Sequence, residues 1–126
     1  MPSHANPIEP PFLEPGSAGI EDFERLDLRV GRVLEAELLE GARKPAYQLR
    51  LDFGAAGERR SSAQLTTTYP DPAQLEGRLV VAVVNFAPRR VAGFRSEVLV
   101  LGALAADGQI PLLGVDDGAM PGQRIG

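Results

Sequence analysis

Two uninterrupted apolar runs constrain the fold of this chain more than any other sequence feature. They occupy residues 79–84 (LVVAVV) and 98–101 (VLVL). Short runs rich in β-branched residues are typical of strands buried on both faces, whereas a strand with one wet face alternates apolar and polar residues. One face would meet the core, and the other needs a cover. In a chain of 126 residues we expect that cover to be a partner subunit, because a lone small barrel would otherwise expose a large apolar patch.

The remaining segments predict further strands and few helices. In residues 26–38 the even positions are mostly apolar and predict one face of a long strand, which Gly31 allows to bend. Residues 47–53 and 58–65 predict two more strands, and residues 106–113 a hairpin turn followed by an edge strand. A helical turn is predicted at residues 20–26, plugging one end of a barrel, and another at residues 71–75, with Asp71 as N-cap. The sum is an all-β fold, a small five-stranded barrel.

The first 19 residues differ in character from the rest. They are rich in proline and glycine and poor in large apolar residues, which predicts an extended, flexible arm before a domain at residues 20–126. Ile8, Phe12 and Leu13 are the members that could dock on a groove, in this molecule or in a partner. The arm lacks the basic and apolar parts of a secretory signal, so we expect a cytoplasmic protein. No apolar run approaches the ~20 residues of a membrane span, so no membrane insertion is expected.

Charge is distributed unevenly along the chain. The formal net charge is −4, yet residues 41–95 carry nine basic and four acidic side chains. This basic middle is compatible with phosphate binding and equally with a solvated surface.

Three basic clusters are the candidate binding residues. Arg43 and Lys44 precede a strand, Arg59 and Arg60 open one, and the third cluster follows the first apolar run. The third cluster lies in the segment 85–97 (NFAPRRVAGFRSE) and comprises Arg89, Arg90 and Arg95. Guanidinium groups match phosphate oxygens, although these three could also be solvated or paired with Glu97.

The same segment offers aromatic and polar side chains. Phe86 and Phe94 could stack on bases or pack into the core. Asn85 and Ser96 could read a base edge or a 2′-hydroxyl group.

Catalytic and metal chemistry find no support in the residue inventory. The chain has no cysteine, and its one histidine, His4, lies in the arm. Ser61 and Ser62 therefore lack a base and a nucleophile elbow, and the acidic pairs near glycines read as turns. We expect a non-enzymatic protein without metal or cofactor.

The segment at residues 20–126 contains six motifs, all between residues 22 and 102. They are DF at 22–23, DLRVG at 27–31, SSAQLT at 61–66, VVNF at 83–86, PRRVAGF at 88–94 and SEVLVLG at 96–102. In these motifs the chain resembles the CsaA family, export-related chaperone-like proteins akin to the tRNA-binding domains appended to methionyl- and phenylalanyl-tRNA synthetases.

The resemblance implies a five-stranded OB-fold barrel with short helices and a C-terminal β extension through which two chains form a homodimer. In the synthetase-appended branch, tRNA binding is associated with positions that Asn85, Arg89, Arg90 and Ser96 match. Leu99 stands where that branch has methionine, and Val98 stands where it has glycine. In these two departures the chain resembles CsaA proper, whose family role is to bind unfolded or preprotein segments. We therefore expect a dimeric chaperone-like binding module, with structure-specific tRNA binding as the alternative.

Overall fold

The computed structural model of the protein describes residues 11–126. Within that range it has one short α-helix, α1 (Ile20–Glu24), and seven strands. The strands are β1 (Leu28–Leu38), β2 (Tyr47–Asp52), β3 (Glu58–Ala63), β4 (Leu79–Val83), β5 (Arg89–Val91), β6 (Phe94–Ser96) and β7 (Leu99–Val100). No helix in the described part of the chain is long and apolar enough to cross a membrane. Residues 1–10 of the predicted arm, with His4 and Ile8, lie outside the described residues.

The strands form a nearly closed antiparallel barrel, which confirms the all-β prediction. The main sheet has the order β3-β2-β1-β4-β7, and β5 and β6 form a separate hairpin. Long β1 pairs with β4 along its first half and with β2 along its second. Glu97, after the hairpin, donates its backbone N–H to the carbonyl of Arg60 in β3 at 2.7 Å. Beyond that contact β3 and β7 are the two edge strands of the sheet, and a seam stays open between them.

A bulge in β1 changes the predicted register. The pairing with β2 shifts between Val33 and Glu35. An inserted residue reverses the side that the following side chains face. As a result Leu28 lies in an outer cluster, Val33 and Ala36 lie in the main core, and Leu38 is 55% exposed. The prediction that the even positions of residues 26–38 line one face is therefore wrong.

Strand β4 is buried on both faces, but its cover comes from the same chain. Val80 and Ala82 belong to the main core, whereas Val81 and Val83 form the outer cluster with Leu28. The partly buried side chains packed on that cluster are those of Leu26, Leu101, Val115 and Ile125. The expectation of a partner subunit as the cover of this strand is therefore wrong, because the C-terminal extension supplies it. The second apolar run is not buried on both faces, since Leu99 is 44% exposed.

The C-terminal extension is fixed to β1 by backbone hydrogen bonds and by two glycines. Gly122 donates to the Val30 carbonyl at 2.8 Å. Gly122 and Gly54 have φ values of 94° and 66°. A Cβ atom at Gly122 would lie 2.6 Å from the Phe53 carbonyl oxygen, and one at Gly54 would lie 2.6 Å from that of Pro121. Glycine is thus required at both positions, by backbone conformation and by close approach.

The predicted turns form, but α1 does not have the role predicted for it. Asp71 caps a single 3₁₀ turn, Pro72–Gln74, by accepting from the Ala73 N–H at 3.0 Å. Leu75, directly after it, is fully buried in the main core.

Helix α1 forms as predicted but buries none of its side chains, and Ile20 is 71% exposed. The expectation that α1 plugs the barrel is wrong, because this five-residue helix lies at the surface. Leu26, directly after it, packs on the outer cluster. The predicted hairpin at 106–109 is also present, with Ala105 donating to the Gln109 carbonyl.

Candidate ligand-binding groove

A groove of about 620 Å³ lies over the open seam between β3 and β7. The β1–β2 loop, the end of β3, the first strand of the β5–β6 hairpin and the chain from β7 to Leu112 surround it. The β1–β2 loop and the segment between β4 and β7 are among the loops that OB-fold barrels use for extended ligands. We call it the seam groove.

The walls of the seam groove are mainly aliphatic. The apolar side chains lining it are those of Ala42, Ala46, Ala63, Leu65, Val91, Leu99, Val100, Leu101, Leu104, Ile110 and Leu112. Leu99 is 44% exposed and Leu104 is 73% exposed. Solvated leucine side chains clustered at a concave site are typical of an interaction surface.

The polar margin of the seam groove is basic. Arg43, Lys44 and Arg89 line it together with Ser62 and Gln64. None of the three cationic groups forms an ion pair with any residue in the range 11–126. We call these three residues the basic rim. Two of the three clusters predicted from sequence therefore meet at one groove, although 45 positions separate Lys44 from Arg89 in the chain.

The second cluster splits between two sides of β3. The Arg60 guanidinium stacks on the Phe94 ring, 4.7 Å from its centroid, and so lies over the hairpin. Phe94 is buried and Phe86 is 47% exposed, so of the two aromatic rings only that of Phe86 presents a surface to solvent. Arg59 turns away, with its guanidinium on the carbonyl oxygens of Ala56 and Glu58.

The other hairpin arginines are partly engaged by their own loop. Arg90 donates to the Gly93 carbonyl at 3.1 Å, and Arg95 lies 4.0 Å from the carboxylate of Glu97. Both side chains are exposed and neither lines the seam groove. Arg89 is the hairpin arginine that does.

Asn85 holds the start of the barrel together. Its Oδ1 accepts from the Asp27 N–H at 2.9 Å, and its Nδ2 donates to the Arg25 carbonyl at 2.9 Å. Both ends of the amide are thus engaged across the chain, at the junction between α1 and β1. Asn85 lines neither the seam groove nor the cavity beside it.

Ser96 lies where the barrel seam begins. It is buried, and its Oγ accepts from the Ser62 N–H at 3.0 Å in place of a backbone carbonyl. Glu97 adds a second bond beside it, since its carboxylate accepts from the Arg60 N–H at 3.0 Å. Ser96 also lines a smaller cavity of about 200 Å³, which shares Arg89, Leu99 and Ser62 with the seam groove and includes Phe86.

The sequence predicts the three cations of the basic rim as binding residues, but it does not predict the leucines of the groove. It predicts burial for Leu99 and assigns no role to Leu104. A signal for Leu104 exists, because it is a lone large apolar residue in an alanine-rich turn, ALAA at 103–106. Elsewhere in residues 11–126 no group of three or more His, Asp or Glu side chains is arranged to hold a metal ion.

Comparison with known proteins adds three findings. The family model described as "Putative tRNA binding domain" matches residues 28–124. Methionine–tRNA ligase from Neisseria gonorrhoeae is 46% identical over 110 residues, which is 86% of this chain and 16% of the ligase. The corresponding ligase from Xanthomonas axonopodis pv. citri is 40% identical over 121 residues and is covered to 17% of its length. The chain therefore spans about a sixth of these ligases.

Three solved structures match this chain over nearly their whole length. Chaperone CsaA from Bacillus anthracis superposes with a TM-score of 0.82 and 49% identity, covering 88% of this chain and 100% of that one. CsaA from Picrophilus torridus gives 0.79 and 44%, covering 86% of this chain and 99% of that one. A protein from Pyrococcus horikoshii described as MetRS-related gives 0.78 and 29%, covering 86% and 96%.

Proposed function

The chain belongs to the tRNA-binding-domain family with CsaA-type relatives, and from that premise we propose that it is a non-catalytic binding module whose seam groove holds exposed apolar segments of unfolded or export-destined proteins. We propose that the protein acts in the cytoplasm, where it would meet these ligands. The observation that carries the proposal is the aliphatic wall of the seam groove, with Leu99 and Leu104 open to solvent.

The chemistry of the wall favours a polypeptide. A nucleobase is held best by an aromatic face or by hydrogen-bond donors and acceptors. The seam groove offers alkyl side chains instead, which pack on leucine, valine or phenylalanine side chains of a ligand. Burying one such side chain contributes about 1.5–3 kcal/mol. A groove of about 620 Å³ is also large enough to hold a few side chains of a peptide ligand.

The test uses a fluorescein-labelled synthetic peptide of alternating leucine and serine, titrated into the full chain and followed by anisotropy. Leu99→Asp and Leu104→Asp should each weaken binding about tenfold or more, because each loses the burial of one leucine and introduces a charge. Leu113→Asp is the matched control, since Leu113 is 48% exposed and lies outside the seam groove.

The same three variants are then compared in suppressing aggregation of a chemically unfolded client protein. Equal effects of Leu99→Asp and Leu113→Asp on peptide binding and on aggregation would exclude the seam groove as the site. No peptide binding by the unaltered chain would refute the proposed function altogether.

A second candidate function, binding of tRNA by its phosphate backbone, is favoured by the basic rim. Arg43 and Lys44, from the β1–β2 loop, and Arg89, from β5, line one groove without an acidic partner among the described residues. Arg60, Arg90, Arg95 and Ser96 flank it on the hairpin side, and we propose them as further contacts with the ligand. Asn85 would support binding by fixing the strand end from which the hairpin departs.

We propose in addition that the chain forms a homodimer. The outer face of β4 no longer argues for this, because the C-terminal extension covers it. The support comes instead from apolar side chains outside that cover, among them Ile20 at 71% and Met120 at 63% exposure. Sedimentation equilibrium decides between one and two chains, and Ile20→Asp should shift a dimer toward monomer.

A further inference from the structure

The N-terminal arm combines apolar and acidic residues in a way that matches the seam groove. Residues 8–14 read IEPPFLE, so that two glutamates accompany one isoleucine, one phenylalanine and one leucine. In the described part of this segment Phe12 is 85% exposed and Leu13 is 83% exposed. Two large apolar side chains so fully solvated are a surface that a partner would bury.

Charge complements this apolar match. Five acidic residues, Glu9, Glu14, Glu21, Asp22 and Glu24, come before the first lysine or arginine of the chain, Arg25. The seam groove presents the opposite sign, with three cations in the basic rim and no carboxylate among its lining residues. An acidic, apolar segment would therefore find apolar walls and counter-charges in one place.

The chain geometry brings the arm within reach. The Asn85 side chain bonds to both Arg25 and Asp27, so the segment after α1 is tied to the strand end that leads to Arg89. Arg89 follows Asn85 by four residues, a span of at most about 13 Å. The eight residues from Phe12 to Ile20 can extend over about 26 Å once the turn in which Ser17 donates to the Glu14 carbonyl opens. The five residues of α1 offset about 8 Å of that length.

We propose that Phe12 and Leu13 of the arm dock in the seam groove of their own chain, with Glu14 toward the basic rim, so that the arm competes with external ligands. The inference rests on the proposed function for its consequence, since an occupied groove must be vacated before a client segment binds. An arm that fills the groove in nine of ten molecules lowers the apparent affinity for an external peptide about tenfold.

Tryptophan fluorescence tests the docking directly, because the chain contains no tryptophan. Phe12→Trp in the full chain should emit at shorter wavelength than a synthetic peptide of residues 7–15 with the same replacement. Arg43→Glu with Arg89→Glu, or Leu104→Asp alone, should return the emission to that of the peptide. Ala55→Trp, at an exposed position between β2 and β3 that does not line the seam groove, is the control, and its emission should not respond to those replacements.

Three results would overturn the inference. They are peptide-like emission from Phe12→Trp in the unaltered groove, emission that ignores the groove replacements, and a blue shift that vanishes on dilution, which would assign the arm to a second copy.

The competition is measured separately, with the leucine–serine peptide. Phe12→Ser with Leu13→Ser should tighten its binding about tenfold, and unchanged affinity would refute the competition while leaving the proposed function intact. If neither chain binds the peptide, the proposed function fails, and the tryptophan emission still decides whether the arm docks.

Discussion

The salt dependence of ligand binding separates the two candidate functions of the seam groove. Neutralising phosphates with the basic rim releases condensed counterions, so affinity falls steeply with salt. Burying leucine side chains of an uncharged peptide releases none. The leucine–serine peptide and a labelled tRNA therefore report on different groups at the same groove.

The magnitude for tRNA follows from the three cations of the basic rim. Three neutralised phosphates give a slope of log affinity against log salt of about −2.7 for duplex and about −2.1 for single-stranded contact. Raising the salt from about 50 to about 200 mM should then weaken binding about 20- to 40-fold. With Arg43→Ala and Lys44→Ala one cation of the basic rim remains, and the share of the salt effect that comes from the rim should fall to about threefold.

Fluorescence anisotropy at a series of salt concentrations measures these slopes, and Arg59→Ala is the matched control. The Arg59 guanidinium is bonded to the carbonyl oxygens of Ala56 and Glu58 and does not line the seam groove, so its removal should leave the slope unchanged. A tRNA slope for the unaltered chain that is shallower than about −1, or one that the double replacement leaves unchanged, would refute the assignment of phosphate contacts to the basic rim.

Three further predictions concern the fold that presents the groove. Gly122→Ala should lower the free energy of unfolding by about 1–3 kcal/mol more than Gly108→Ala, because both have positive φ but only Gly122 abuts another backbone; equal urea midpoints would contradict this. Asn85→Ala should cost up to about 2 kcal/mol through two lost hydrogen bonds, whereas unchanged thermal stability with lost ligand binding would assign the amide to the ligand instead. Burial and the Asp71 carboxylate raise the pKa of Tyr47, so its contribution to stability is complete below about pH 10 and is lost as the pH rises through the folded-state pKa. Tyr47→Phe should therefore flatten the alkaline decline of the melting temperature, and an undiminished decline would count against this origin.

Local patterns specified most of the secondary structure. Alternation in residues 47–53 predicted β2, and the apolar run at residues 79–84 predicted a strand buried on both faces, which β4 is. Asp71 and Pro72 predicted the start of a helical turn, because capping and a fixed φ act over three residues. Such features depend on residues that are adjacent in the chain, so they can be predicted from the sequence.

Long-range features were less accessible. The bulge after Val33 adds one residue to β1 and reverses the side that the following side chains face. The composition of the strand does not mark where that reversal occurs. The cover of β4 comes from Val115 and Ile125, more than 30 residues away in the chain, and a partner subunit was the wrong inference. Both depend on which strands become neighbours.

The apolar runs and the clustered arginines were thus determined by sequence alone. Tertiary structure decided what those residues face. It left Leu99 of the second run half open at the seam, where sequence predicted burial, and it brought Arg43 and Lys44 beside Arg89. The physical reason is that periodicity and capping depend on residues within a single element. The burial of a side chain and the meeting of charged residues depend on which elements become neighbours when the barrel closes.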